Sequence, residues 1–233
     1  YTGKRCFVIG NAPSINNQDL TELKNEIVFM VNRAFLDSRY ELIKPTYHVI
    51  VDPKLATGEW PITFLDDILK KNPYVTFLLK SSWFDLPMFQ PYKKKAKIYW
   101  IDQSLEFTPS IKKRKLDLTT RTYSKYVVEQ AITAAIYMGF KEIYFTGVEG
   151  NGIAYLMVQK KSHSYGTNKE DLDLSWEKIL KSYQSGAYWL RCWKNITDFC
   201  KDKDIKLVNL TDGGIMNMVN RNDFNTVIRK PKE

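Results

Sequence analysis

The 233-residue chain predicts an α/β fold, a mostly parallel, doubly wound sheet of about seven strands. Three observations lead there. Short β-branched and aromatic runs alternate with longer amphipathic segments, the pattern of parallel strands joined by helical crossovers. Polar residues stand at the carboxyl ends of several runs, where open parallel sheets hold their ligands. A composition of 44% hydrophobic, 26% charged and 14% aromatic residues is that of a folded protein rather than a disordered tail.

Strands are expected over residues 5–9, 27–32, 46–51, 75–79, 98–101, 142–146 and 206–209. The clearest helix is 124–138, because Val127, Val128, Ala131, Ile132, Ala134, Ala135 and Met138 recur at offsets of three, four and seven. Gly139 should stop it as a C′ glycine. A second long helix is expected over 175–200, with Ser175 at its N-cap, Glu177 in its first turn and Gly186 as a break or bend. Residues 150–173 mix Gly, Ser, Asn, Lys and aromatics and read as a long loop or lid. With no repeat, low-complexity tract or linker, residues 1–233 read as a single domain. The first residue is Tyr rather than Met, as in a domain excised from a longer chain.

The net charge is 35 basic minus 26 acidic residues, or +9, which favours an anionic partner such as a sugar nucleotide, nucleic acid or lipid head groups. Much of the excess lies in Lys93–Lys95, Lys112–Lys115, Lys160–Lys161 and the tail from Arg229 to Lys232. These runs read as solvated loops, or as a peripheral contact with an anionic membrane leaflet. Nucleic acid is not expected as a partner, for there is no recognisable module and no concentrated basic helix. Cys6, Cys192 and Cys200 are odd in number and have no metal-ligand spacing, which fits a reducing cytoplasm. No run approaches the ~18 apolar residues of a membrane span, and no basic-then-apolar signal opens the chain. A cytoplasmic protein, in peripheral contact with the inner membrane face, is the expectation. The oligomeric state is not readable.

Three constellations can carry chemistry. Gly10-Asn11-Ala12-Pro13-Ser14 follows the first strand, where glycine permits close backbone approach and the Asn11 and Ser14 side chains offer hydrogen bonds. It matches neither the GxGxxG fingerprint nor a phosphate-binding P-loop, and a bare turn is its structural alternative. Asn32 and Asp52 end the next two strands, so parallel topology should bring them to the same sheet edge, either to read a ribose or base or simply to cap turns. Arg121-Thr-Tyr-Ser124 opens the best helix, where free N–H groups and the macrodipole suit a phosphate; capping by Ser124 alone is the alternative. Gly147 and Glu149 follow a further strand, and Glu149 is a candidate to hold an acceptor hydroxyl.

Of the two histidines, His48 lies within an apolar strand and reads as structural. His163 sits in the polar stretch from Ser162 to Gly166 and suits general-base work near neutral pH. Asp171-Leu-Asp173 and Asp202-Lys-Asp204 both match a loose carboxylate pair, but neither follows a strand, so no metal is expected.

Gly10–Ser14, Val31-Asn32-Arg33, Val51-Asp52-Pro53, Arg121–Ser124 and the run from Met138 to Val148 resemble, in order, motifs of the bacterial lipooligosaccharide sialyltransferases. They are also similar to the domain of 6-hydroxymethylpterin diphosphokinases and of the motility accessory factors that act on flagellins. The resemblance covers about residues 5–210. It implies a Rossmann-like, GT-A-variant fold with a lid, a CMP-activated donor and catalysis without a metal or other cofactor. It further implies that Gly10, Asn11 and Ser14 line the nucleotide and that Asn32 meets its phosphate or ribose. Arg121 and Ser124 would line the donor–acceptor cleft, and Tyr155 and Tyr165 would match the lid tyrosines. Two departures stand out. Asp52 replaces an asparagine, and the histidine that the family carries ahead of its last long helix is missing from residues 184–188.

The expected function is therefore a glycosyltransferase of bacterial surface-glycan synthesis. It would move a sialic or related acid from a CMP-activated donor to a saccharide acceptor by direct displacement. His163 is the preferred base, followed by Glu149 or Asp52, with Arg121, the helix terminus and Tyr165 stabilising the departing phosphate. The alternatives are an ATP-dependent, Mg²⁺-requiring pterin diphosphokinase and a non-catalytic sugar-nucleotide or glycan-binding module.

Overall fold

The computed structural model of the chain describes residues 1–102, 126–150, 152–157, 162–166 and 175–229. Seven strands form one sheet: β1 (Arg5–Ile9), β2 (Ile27–Val31), β3 (Tyr47–Ile50), β4 (Thr76–Lys80), β5 (Lys97–Ile101), β6 (Glu142–Thr146) and β7 (Lys206–Asn209). Their order is β5-β4-β3-β2-β1-β6-β7, and every neighbouring pair is parallel. The central strands are near-continuous apolar runs because both faces are covered. Cys6 and Val8 point into one core with Phe29, Val31 and Val49, while Phe7 and Ile9 point into the other with Val28, Met30 and Ile50.

The helices α1 (Tyr40–Ile43), α2 (Lys54–Thr57), α3 (Phe64–Lys71), α4 (Tyr92–Lys95), α5 (Val127–Tyr137), α6 (Gly152–Met157), α7 (Trp176–Asp202) and α8 (Phe224–Ile228) fill the connections. On the first face, α5 lies across β1, β2 and β3, and α7 packs on α5 and β7. On the second face lie buried side chains of α1, α3, α4 and α8. The chain enters at the centre of the sheet, builds outward from β1 to β5, then crosses back to place β6 on the other side of β1. That reversal makes the carboxyl ends of β1 and β6 a topological switch point, where a crevice opens between loops that leave in different directions.

Several expectations shift. β2 stops at Val31 because Asn32 takes a left-handed φ of +48° and starts a 3₁₀ turn. β3, β4 and β5 differ from their predicted bounds by one residue at one or both ends. The best helix starts at Val127 with Tyr126 at its N-cap position, three residues later than expected, and Ser124 lies outside the described residues. Gly139, at φ +88°, ends that helix as expected. Gly186 neither breaks nor bends α7, which runs through it and on to Asp202; glycine keeps its N–H donor, so the hydrogen-bond ladder survives. Lys93–Lys95 form the short helix α4 instead of a loop. The expected lid contains α6 and a tight turn, with the two ends of that turn bridged at His163 and Gly166.

Candidate functional site

Two backbones meet at the switch point. The Gly10 N–H donates to Thr146 O at 2.8 Å, and the Ala12 N–H to Gly147 O at 3.1 Å. A Cβ on Gly10 would stand 2.2 Å from Gly147 O, and one on Gly147, where φ is +71°, would stand 2.6 Å from Gly10 O. Glycine at both positions is what lets the β1 and β6 loops touch. The two loops are then laced together by side chains. Pro13 opens a 3₁₀ turn, Pro13–Asn17, whose Ser14 N–H donates to Glu149 Oε1 at 2.7 Å. The other Glu149 oxygen accepts from the Tyr155 hydroxyl of α6. Glu149 is only 4% exposed, so these two donors supply the partners that a buried carboxylate needs.

Asn11 is tied on both sides. Its Nδ2 donates to Val31 O at 3.1 Å, joining the β1 loop to the end of β2. Its carbonyl accepts from the Ser164 N–H at 2.8 Å, while Asn16 Nδ2 donates to Ser164 O at 3.3 Å. The turn carrying His163 is thereby fastened over the β1 loop. His163 Nδ1 lies 2.9 Å from Ser162 Oγ, and its ring stacks on Tyr165 at 5.1 Å.

Asn32 is held by a buried relay. His48 Nε2 is 2.8 Å from Asn32 O, and Tyr40 Oη is 2.8 Å from His48 Nδ1. A carbonyl can only accept, so Nε2 carries the proton and Nδ1 accepts from the tyrosine. Burial depresses the His48 pKa to about 4, which keeps the ring neutral and in this tautomer. The structural role expected of His48 is the one observed. Asn32 Oδ1, by contrast, is buried with no hydrogen-bond partner.

These groups surround a cavity of about 260 Å³, to which Asn11, Asn32, Glu149, Tyr155 and His163 bring polar atoms. Val31, Val127 and Val128 form its apolar wall, and Gly147 its floor. Other predicted site residues lie elsewhere. Gly10 is spent on the contact with Gly147, and Ser14 is buried behind Glu149. The Asp52 carboxylate accepts from the Lys54 N–H at 3.0 Å, at the start of α2, and does not line the cavity. Tyr165 backs His163 from outside the lining. Arg121, Ser124, Asp171 and Asp173 lie outside the described residues. Val127 and Val128 were missed as lining because their helical spacing marks only a core face. The docking of Ser164 on Asn11 left no local signal. Among the described residues, no group of three or more His, Cys, Asp or Glu side chains is placed to hold a metal, and no helix is long and apolar enough to cross a membrane.

Fold and site together define a Rossmann-like α/β protein with its crevice at the switch point of an all-parallel sheet. Residues 1–150 match the family described as 6-hydroxymethylpterin diphosphokinase MptE-like, and the chain belongs to that family. No curated protein sequence matches it. Among solved structures it is similar to the sialyltransferase CstII from Campylobacter jejuni in complex with the substrate analogue cytidine-5′-monophosphate, with 17% identity, a TM-score of 0.55, and 95% of this chain and 86% of that one covered. It is likewise similar to CST-II in complex with a trisaccharide acceptor and CMP, with 17% identity, a TM-score of 0.51 and coverage of 94% and 86%. A third likeness is to the monofunctional α-2,3-sialyltransferase Cst-I from Campylobacter jejuni, with 19% identity, a TM-score of 0.52 and coverage of 91% and 78%. The shared fold is the GT-A-like variant of these enzymes.

Proposed function

We propose that the chain is a glycosyltransferase that moves a sugar from a CMP-activated donor to a saccharide acceptor, with His163 as the general base. The observation that carries this reading is the fastening of the His163 turn over the β1 loop, which puts an imidazole and an unpartnered asparagine oxygen into one cavity. A base carried on a lid is useful only if the lid meets the nucleotide loop, and the hydrogen bond from the Ser164 N–H to Asn11 O supports that reading. The fold likeness to CMP-bound sialyltransferases supports the choice of nucleotide.

In the reaction, the acceptor hydroxyl attacks the anomeric carbon, forming a new C–O bond as CMP leaves with the electron pair. With Nδ1–H directed to Ser162 Oγ, the lone pair that takes the acceptor proton is on His163 Nε2. Asn32 Oδ1 accepts from a hydroxyl or amino group of the bound nucleotide, while His48 fixes the Asn32 backbone through its carbonyl. Glu149 is a positioning residue, because its carboxylate joins the Ser14 turn to Tyr155. The +9 charge suits a polyanionic donor, and an acceptor presented at an anionic lipid surface.

The family match favours a second reading, diphosphate transfer from ATP to a pterin alcohol with Mg²⁺. Melting temperatures with CMP, UDP, ADP or ATP, each with EDTA or Mg²⁺, separate the two, because a ligand of the native state raises Tm by mass action. The glycosyltransferase reading expects stabilisation by CMP in EDTA, and a His163→Ala variant that keeps this shift while its transfer rate falls about 10²-fold or more. A response to ATP with Mg²⁺ alone would establish the diphosphokinase reading instead.

A further inference from the structure

Helix α7 is 27 residues long, about 40 Å at 1.5 Å per residue. All of its buried residues, from Cys192 to Cys200, lie in the C-terminal half. The N-terminal half carries an apolar stripe turned to solvent: Trp176 is 71% exposed, Leu180 42%, Tyr183 57% and Leu190 36%, with Ala187 also exposed. The spacing of four, three, four and three is an a/d heptad seam, with Leu180 and Ala187 at a and the others at d. This is not the face that α7 turns to its own protein. On the inner side, the Tyr126 hydroxyl donates to Ser185 O at 2.7 Å, and the Trp189 ring packs on Gly150 beside the cavity. Among the described residues, nothing covers the stripe.

We infer that this stripe pairs antiparallel with the same stripe of a second copy of the chain. The flanking charges select that occupant and that direction. The e positions beside the seam are Glu177, Gln184 and Arg191, all exposed. In a parallel pair the e positions face g positions, so Gln184 would meet Ile179 of the partner subunit and Arg191 would meet Gly186 of the partner subunit, with no opposite charge to pair, and the helix dipoles would add. Run antiparallel about a two-fold axis, Glu177 meets Arg191 of the partner subunit at both ends, Gln184 lies at the centre, and the dipoles oppose. Leu180 then layers on Leu190 of the partner subunit, and Tyr183 on Ala187 of the partner subunit. Gly186 beside Ala187 keeps the middle of the face low, so the helices can approach closely. Because Trp189 on the same helix backs Gly150, the dimer also steadies one wall of the cavity.

Sedimentation equilibrium of the whole chain tests this at physiological ionic strength, where the +9 charge is screened. A dimer is expected in the micromolar range. Leu180→Glu with Tyr183→Glu should raise its Kd about tenfold or more while circular dichroism and Tm stay unchanged. Glu177→Arg or Arg191→Glu alone should each weaken it several-fold, and the two together should restore it. A wild-type monomer throughout the range, a dimer indifferent to the Leu180 and Tyr183 substitutions, or a charge swap that does not rescue would each overturn the inference. So would a monomer that instead binds anionic phospholipid vesicles through the same stripe.

Discussion

Glu129 has no part in the chemistry proposed above, yet it is the most exceptional single residue. It is fully buried in the first turns of α5, where neither carboxyl oxygen makes a hydrogen bond of good geometry and the Trp193 side chain is the neighbour that favours the charged form. Burial pushes its pKa from the ordinary 4.5 up to about 8, so the folded protein carries it protonated at neutral pH. A group whose pKa is raised on folding contributes stability that is fully present below 4.5 and is lost as pH rises towards 8. Glu129→Gln, which keeps the shape and has no proton to lose, should therefore be more favourable to stability at pH 8 than near pH 4.5, by on the order of 4 kcal/mol. Urea unfolding at the two pH values checks this, and an equal effect at both would refute it. His48 acts in the opposite direction, its depressed pKa withdrawing stability as pH falls from 6.5 to about 4. Asn11, Asn32, Glu149 and His163, which the sequence singles out as polar side chains at strand ends and in a lid, do come together around one cavity. Asp52 has the same position, but its carboxylate turns to the nearest free N–H, that of Lys54. Which way a strand-end carboxylate turns is a matter of local hydrogen bonding that a strand pattern does not encode.

At the scale of elements, the joint between the β1 and β6 loops depends on an absent Cβ. Gly10→Ala should destabilise the protein by about 2 kcal/mol or more, since a 2.2 Å approach to the Gly147 carbonyl must separate two backbones rather than a flexible side chain. Under the function proposed above it should also weaken CMP binding, because Asn11 and the His163 turn hang from the same loop. Chemical denaturation and a ligand titration on the same variant read both effects, and normal stability would refute the assigned contact. The strands were legible nearly to the residue because β-branched and aromatic runs buried on both faces leave few alternatives. Helix α7 was legible in extent but not in continuity. A glycine in mid-helix destabilises by about 1 kcal/mol, which the burial of Trp193, Ile196 and Phe199 outweighs.

For the molecule as a whole, the three cysteines provide a reporter of global opening. Cys6, Cys192 and Cys200 form no disulfide and are buried, Cys6 and Cys200 in the core between the sheet and α5 and α7 and Cys192 on α7, and burial raises the pKa of Cys6 and Cys200. A thiol reagent should leave the native protein almost untouched and modify all three together at the rate of global unfolding; rapid reaction of any one of them would show local opening of that face. The alternation of strands and amphipathic segments determined the class of fold by itself, because burial on a sheet or helix face is a periodic demand that a chain answers residue by residue. Strand order, by contrast, is set by long-range pairing. Only the tertiary structure put β1 between β2 and β6, and so made one crevice of Asn11, Asn32 and Glu149. It alone brought the His163 turn onto Asn11, through a backbone hydrogen bond across more than 150 residues of chain that leaves no trace in composition or spacing.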